Sequence, residues 1–417
     1  MKTSRLSACA LGAALLCALA VPTIPSSAAP PPAPSVVAVV GEDPGLNVLH
    51  DDFRTADGRD PVYPAGMPKP RFVSLPTHGS FAQRMATLEA GPLGHPQPGA
   101  LYAVHGTRLL LFATPGVTDL VGGDRLHATG VASAAIGRRY GTAPTSLAVF
   151  VPSATPAAFD WLDQQSWIDV ATMSVYSVNT VNSNDPPDTP ICLGARPVRD
   201  WIAKGHLFFS SSGNTSDEPE PAMSPNGLAE VYQVGGVDAS GKTWLPGHSE
   251  EPDPFYADGT VIRPYETGEL FSFQAAAPDA LSGSVHFGGT SGATPRTAGR
   301  AAQLITDARA LLGGSRRGSA LASHQGSSRL PGTGPLHDGQ LSADELVTLL
   351  HETARPVEPD VPGRYLLEGY GALSAASQAT AHQVLAGSTT LPARAADDAT
   401  NAAVERVRST LVDQRCP

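Results

Sequence analysis

Four short polar segments of the chain contain the residue types that acyl transfer requires. Asp43, His127 and Ser291 follow one another as a potential acid, base and nucleophile. Asn214, in the segment Ser212-Gly213-Asn214, adds a side-chain amide that could bind an oxyanion. A hydroxyl activated by an imidazole, itself oriented by a carboxylate, is the arrangement that hydrolyses acyl compounds. Each segment alone is typical of an ordinary turn or helix start, but together they predict a hydrolase.

These residues are predicted to lie on an α/β scaffold with a mostly parallel sheet and helices on both faces. The apolar, mostly β-branched run 36–40 is typical of a strand buried on both faces, and it ends shortly before Asp43. Polar residues at the carboxyl ends of parallel strands are the best candidates for a site. Further strands are predicted at 146–151, 168–175, 206–210 and 230–237, and helices at 154–167, 198–204 and 296–312.

Length and charge limit the classes of function. The chain has 417 residues, which suits one large domain with insertions. Its formal net charge is -11 and it contains no basic run, so nucleic acid is not an expected partner. No histidine or cysteine spacing typical of a zinc site occurs, and we predict no metal centre.

The first residues predict export. Lys2 and Arg5 precede the apolar run 6–21, and small residues follow at 27–29, the pattern of a cleavable signal peptide over residues 1–29. A membrane anchor is the alternative, but it needs about 20 apolar residues, more than this run offers. We therefore expect a secreted, extracellular protein with no membrane span after cleavage.

The residues around His127 and Ser291 resemble two motifs of the subtilisin-like serine protease family. Residues 127–132 read His-Ala-Thr-Gly-Val-Ala, and residues 289–299 read Gly-Thr-Ser-Gly-Ala-Thr-Pro-Arg-Thr-Ala-Gly. The second motif is the more specific of the two. The segments at Asp43, Asn214 and 369–371 are also similar to family segments, so the resemblance spans roughly residues 35–385.

The resemblance implies a three-layer subtilisin-like fold and a serine endopeptidase that acts on proteins or peptides. Asp43, His127 and Ser291 would form the triad, and Asn214 would serve the oxyanion hole. No cofactor would be required, although a structural calcium ion is compatible with the family, and the protein would be a monomer. Residues implied to contact the substrate are Ser174, Val175, Tyr176, Ser212 and Gly213.

The same resemblance divides the chain into a signal peptide and one peptidase domain, residues 30–390. The long interval between Asp43 and His127 predicts an insertion over about 54–120, with a hairpin near 102–112 and a short helix. The polar stretch 313–338 is predicted to be a flexible loop, and 391–417 a C-terminal helical tail.

Several departures from the motifs leave other interpretations open. Pro44 replaces a hydroxyl residue, Ala128 and Gly130 replace Gly and His, and Gly292 replaces a Met, which predicts a looser site. A catalytically silent, secreted binding protein of the same fold is the main alternative. The related sedolisins use a Glu as base, which His127 in its context argues against. An esterase of another fold needs Gly-x-Ser-x-Gly, a pattern that Ala293 breaks.

One disulfide bond is predicted, between Cys192 and Cys416. These are the only cysteines left after removal of the signal peptide, and export permits oxidation, although two independent thiols are the alternative. In the chain-entropy model, closing a loop of this length would add about 5 kcal/mol to the free energy of unfolding. Peptide mapping of the exported protein without reductant should give the two cysteines in one linked pair. Recovery of both as alkylated thiols would show that the tail is not tethered.

Overall fold

The computed structural model describes residues 34–175, 194–212, 214, 228, 230–239, 243–244, 267–311, 341–355 and 370–391. Several predictions therefore concern residues outside the described ranges. They are the signal peptide, the loop 313–338, most of the tail 391–417, Tyr176, Gly213, Cys192 and Cys416.

In the described part of the chain, ten strands form one mostly parallel sheet, with a central path β10-β8-β7-β6-β1-β5-β4-β3-β2 and β9 beside β8. Only the β3–β4 and β8–β9 pairs are antiparallel. A separate two-stranded hairpin consists of β11 and β12. The strands are β1 Val36–Val40, β2 Arg71–Val73, β3 Leu101–Val104, β4 Leu109–Phe112, β5 Leu147–Val151, β6 Val170–Met173, β7 Leu207–Ser211, β8 Tyr232–Val237, β9 Thr243–Trp244, β10 Thr267–Leu270, β11 Ser272–Ala276 and β12 Ser284–Gly288.

Helices cover both faces of this sheet. They are α1 Phe81–Glu89, α2 Leu126–Ile136, α3 Pro156–Asp163, α4 Ala195–Ala203, α5 Thr290–Leu311, α6 Ala343–Thr353 and α7 Ala375–Leu385. Val37 and Val39 of β1 pack in one apolar cluster with α2, α5, α6 and α7. The alternate residues of β1 pack in a second cluster with α3 and α4. Since successive strand residues face opposite sides, the apolar run of β1 belongs to two cores. The predicted three-layer α/β architecture is confirmed.

The predicted strands and the insertion hairpin are confirmed, with shifted ends. The hairpin is β3–β4, and its turn contains Gly106 at φ +66°. The helix predicted over 154–167 ends at Asp163, because a turn there brings Trp167 into the core. The helix predicted to begin at 296 begins at Thr290 and contains Pro295. Pro295 is the sixth residue of this helix, and without an N–H it leaves the carbonyl of Ser291 without a helical donor.

A buried ionic cluster joins α5 to β10 and α7. The side chains of Glu269 and Arg300 are 2% and 5% exposed and form a close ion pair. Arg296 Nε lies 3.4 Å from Glu269 Oε1, and Arg300 Nη1 donates to Gln378 of α7 over 2.8 Å. Burial alone would raise the pKa of Glu269, but the charges of Arg300 and Arg296 outweigh it and lower that pKa. The cluster therefore stays ionised at neutral pH.

The start of the described chain is held by the far end of α5. Arg309 Nη1 donates to the carbonyl of Pro34 over 3.0 Å, and its Nη2 lies 2.5 Å from Asp169 Oδ1. The other oxygen of Asp169 accepts the N–H of Val36 over 2.9 Å. Strand β1 is thus held at Pro34, two residues before it begins, and at the N–H of its first residue, Val36. Among the described helices, none has both the length and the hydropathy to cross a bilayer.

Glu269→Gln should destabilise the protein by about 3–5 kcal/mol at pH 7, because it leaves a buried guanidinium without its counter-charge. The lowered pKa of Glu269 means that this stabilisation is complete above the unfolded-state pKa and is lost as the pH falls through the folded-state pKa. Urea unfolding measures the change. Lys204→Met is the control. Lys204 is 51% exposed in its ion pair with Asp163, so this substitution should lower the free energy of unfolding by less than about 1 kcal/mol. Equal losses in both variants would contradict the prediction.

Candidate active site

The chain turns sharply where β1 ends, and this turn selects which carboxylate faces inward. Gly41 has φ +85°, a conformation that favours glycine. Its N–H donates to the carbonyl of Val151 over 3.0 Å, and the carbonyl of Glu42 accepts the N–H of Ser153 over 2.9 Å. Glu42 is consequently fully buried, whereas Asp43 is exposed.

Glu42, and not Asp43, contacts His127. His127 is the second residue of α2, and its Nδ1–H donates to Glu42 Oε2 in a close hydrogen bond. This bond fixes the tautomer and leaves Nε2 as the free acceptor of the neutral ring. The expectation that Asp43 would hold His127 is corrected on this point, because the turn at Gly41 directs the longer side chain inward.

The surroundings of His127 favour its protonated form. Burial alone would lower the pKa of His127, but the hydrogen bond and negative charge of Glu42 raise it more. The charges of Asp43 and Asp124 act in the same direction, and the net effect is a raised pKa. Asp43 therefore influences His127 through space without touching it.

Ser291 is the second residue of α5 and is fixed to the end of β6. The Ser291 hydroxyl donates to the carbonyl of Ser174 over 3.1 Å, and the Ser174 hydroxyl donates to the carbonyl of Ser291 over 3.0 Å. The Ser174 hydroxyl thus provides the donor that the carbonyl of Ser291 lacks within the helix, because Pro295, four residues further along, has no N–H. Ser291 is 8% exposed, and within the described residues its hydroxyl has no bond to His127.

The amide of Asn214 has a fixed orientation. Asn214 Oδ1 accepts both the N–H and the hydroxyl of Thr290, each over 2.9 Å. Because these groups donate, the amide oxygen must face Thr290, and Nδ2 is turned away as a donor. Gly289, at φ +78°, lets the chain pass close to Asn214, since a Cβ there would lie 3.1 Å from Oδ1. The first turn of α5 thus positions both the hydroxyl and the amide.

One phenylalanine ring links the two halves of the site. The rings of His127 and Phe287 meet edge to face with centroids 5.7 Å apart. A Cβ added to Gly292, next to Ser291, would lie 3.5 Å from the same phenylalanine ring. His127 of α2 and Gly292 of α5, the residue after Ser291, therefore both lie against Phe287. The space beside Gly130 and Gly292 is filled by the rings of Phe287 and Phe273. The prediction of a looser site is therefore wrong at these two positions.

Hydrogen bonds join the predicted site residues in two groups. His127 bonds to Glu42 just after β1, while Ser291 bonds to Ser174 just after β6 and follows Thr290, which bonds to Asn214. Because β1, β6 and β7 are parallel neighbours, both groups lie at the carboxyl ends of these strands, where Val175 and Ser212 also lie. Sequence reasoning missed Glu42, although a second carboxylate beside Asp43 was the signal that could have indicated it. Among the described residues, no group of three or more His, Cys, Asp or Glu is arranged to hold a metal ion.

No family model matches the chain, and no curated protein matches it. Three solved structures share part of its geometry. The prenylagaramide maturation protease PagA is 17% identical, with 86% of this chain and 96% of that chain covered at a TM-score of 0.47. The PatG macrocyclase domain is 16% identical (85% and 93% covered, TM-score 0.47), as is the self-cleaved protease domain of PatA (85% and 97%, TM-score 0.42). Likenesses this distant leave the activity of the chain to be inferred from its own site.

Glu42→Gln should lower the pKa of His127, because it removes the nearest negative charge and the strongest acceptor of the ring. Asp43→Asn is the matched control and should move that pKa in the same direction by a smaller amount. NMR titration of the imidazole in both variants gives the comparison. A larger shift in the Asp43 variant would make Asp43 the functional partner.

Proposed function

We propose that this chain is a secreted serine endopeptidase of the subtilisin-like type, with Ser291 as nucleophile, His127 as general base and Asn214 as oxyanion donor. Glu42 takes the orienting role first expected of Asp43. The observation that carries the proposal is the hydrogen bond between His127 and the buried Glu42. It leaves Nε2 of His127 as an acceptor at the start of α2, and Ser291 lies at the start of α5, the helix that packs against α2.

Acylation begins with a rotation of the Ser291 hydroxyl. The hydroxyl leaves the carbonyl of Ser174, donates to Nε2 of His127, and attacks the carbonyl carbon of the scissile peptide bond. The proton passes to Nε2, and Glu42 stabilises the imidazolium that forms. His127 then returns the proton to the leaving amine as the C–N bond breaks. A water molecule, activated by the same imidazole, hydrolyses the acyl-enzyme and releases Ser291.

The negative charge that develops on the substrate oxygen requires donors that are already in place. Asn214 Nδ2 is one, held by the two bonds from Thr290 to its oxygen. The N–H of Ser291 is the second, at a helix start where the macrodipole also favours negative charge. Neither donor has to reorganise during the reaction. This arrangement supports acyl transfer and requires no cofactor.

The end of β6 supports a peptide as the substrate. Ser174 lies beside the nucleophile and Val175 follows it, so an extended peptide placed along this segment would bring its carbonyl to Ser291. Main-chain pairing of this kind recognises polypeptides without requiring a particular side chain. Tyr176, Ser212 and Gly213 complete the proposed substrate contacts. With cleavage of residues 1–29, the enzyme would meet its protein substrates outside the cell.

The second candidate is a binding protein that keeps the same fold without activity. The bond from the Ser291 hydroxyl to the Ser174 carbonyl favours it, because in this bond the hydroxyl donates to a main-chain carbonyl and not to His127. A fluorophosphonate distinguishes the two functions, since it labels an activated serine only. Stoichiometric labelling of Ser291 would support the peptidase, whereas an unlabelled, folded protein would leave the binding function.

Ser291→Ala should abolish both labelling and peptide hydrolysis, a loss on the order of 10⁶ in kcat where the nucleophile of such a triad is removed. The variant should stay folded, because the substitution removes only one hydroxyl. Ser388→Ala, at an exposed serine after α7, is the control and should keep full activity. Casein cleavage that survives in the purified Ser291 variant would exclude this residue as the nucleophile.

Asn214→Ala should lower kcat by about 10²–10³ with little change in KM, because the amide acts mainly on the transition state. Steady-state kinetics on a peptide substrate separate the two constants. A variant with an unchanged kcat would assign the oxyanion to other donors.

A further inference from the structure

Three of the residues that differ from the family motifs contact the same pair of rings. Gly130 and Arg296 each stand where the motif has a histidine, and Gly292 stands where it has a methionine. In the structure, Gly130 lies against Phe287, while Gly292 and Arg296 lie against Phe273. These three departures therefore have one physical explanation. Phe273 and Phe287 occupy the space beside the catalytic groups that larger side chains at these positions would need.

The first contact involves the helix that carries His127. Gly130 follows His127 by three residues on α2, so the two positions are neighbours on one helix face. A Cβ at Gly130 would lie 2.5 Å from Cδ2 of Phe287, closer than side chains tolerate. Phe287 is 6% exposed, and the edge-to-face geometry of its contact with His127 is one that aromatic rings prefer. Only glycine at 130 lets this ring reach the imidazole.

The second contact involves the helix that carries Ser291. A Cβ at Gly292 would lie 2.7 Å from Cε1 of Phe273, whose ring centroid is 6.0 Å from that of Phe287. On its other side, Phe273 is covered by the guanidinium of Arg296 at 4.7 Å, a cation–π contact. Arg296 is held in turn by Glu269. A continuous row of contacts thus runs from the buried ionic cluster to His127.

The hairpin that carries both rings is held to the rest of the protein by hydrogen bonds. The Asn47 amide donates to the carbonyls of Ala277 and Ala280 over 3.0 and 2.8 Å. The N–H of Ala276 donates to the hydroxyl of Ser133 on α2 over 2.9 Å. Hairpin β11–β12 is therefore a rigid support for Phe287.

We propose that Phe287 is the positioning residue of His127. Phe273 packs against Phe287 and supports it, and the absence of side chains at Gly130 and Gly292 leaves room for the two rings. The inference rests on the proposed function. The bond to Glu42 holds His127 at one atom, about which the ring can still turn. The edge contact with Phe287 supplies a second point and keeps Nε2 directed towards Ser291.

Phe287→Leu should lower kcat by a few-fold to about tenfold, the factor that an aromatic edge contact is worth, and leave KM within about twofold. Phe159→Leu is the matched control, because Phe159 of α3 is also a buried phenylalanine but belongs to the apolar cluster on the opposite face of the sheet. Both variants should lose stability, and only the Phe287 variant should lose turnover. A common loss of stability with unchanged turnover in both would overturn the proposal.

A double-mutant cycle tests the role of the glycine. Gly130→Ala should lower kcat although alanine is the better helix former, because the added methyl group displaces Phe287. The double variant Gly130→Ala/Phe287→Leu should be no slower than Gly130→Ala alone, since the smaller side chain removes the clash. Strictly multiplicative losses would show that the two positions act independently, against the proposal.

A measurement without turnover separates this inference from the proposed function. In the Ser291→Ala background, the ring protons of His127 should give one sharp set of NMR signals, which Phe287→Leu should shift and broaden. If the natural chain neither hydrolyses peptides nor reacts with a fluorophosphonate, the proposed function fails, while these signals still test the position of the ring. Signals that are identical with and without Phe287 would overturn the positioning role.

Discussion

The buried carboxylate of Glu42 is the constraint on which the arrangement of this site depends. A charge removed from water at the end of a central strand is costly unless a hydrogen-bonded partner compensates it. His127 is that partner, and it can meet Glu42 only if α2 begins beside the end of β1. The left-handed turn at Gly41 and the bond from Ser153 direct the carboxylate inward. The helix carrying Ser291 then packs against α2, which completes the site.

Most of the fold could be predicted from local patterns, because they depend on neighbouring residues. The apolar run of β1 and the hairpin β3–β4 are examples. The choice between Glu42 and Asp43 could not, since two adjacent carboxylates look alike and the φ angle of Gly41 decides between them. The start of α5 was also missed, because Pro295 is a helix breaker in most contexts and here falls in an early turn.

The contacts of Phe273 and Phe287 show why a motif comparison underestimated this site. Read along the chain, Gly130 and Gly292 are losses of side chain that predict a void. Their compensation comes from residues on a hairpin that neither motif includes. Packing density is a property of the folded interior, where a small residue in one element is matched by a large one in another. Departures from a motif therefore have to be judged together with the side chains that face them.

The hydrogen bond from Arg309 to the carbonyl of Pro34 also determines where the protein can be attached to a surface or a label. Strand β1 leads from this anchor towards Glu42, and its five residues span about 17 Å. Helix α5 runs the other way, with Ser291 at its first turn and Arg309 near its last. A surface or label coupled at Pro34 would thus sit at the amino end of β1, remote from Ser291. Immobilisation there would leave the carboxyl ends of β1 and β6 accessible from solution.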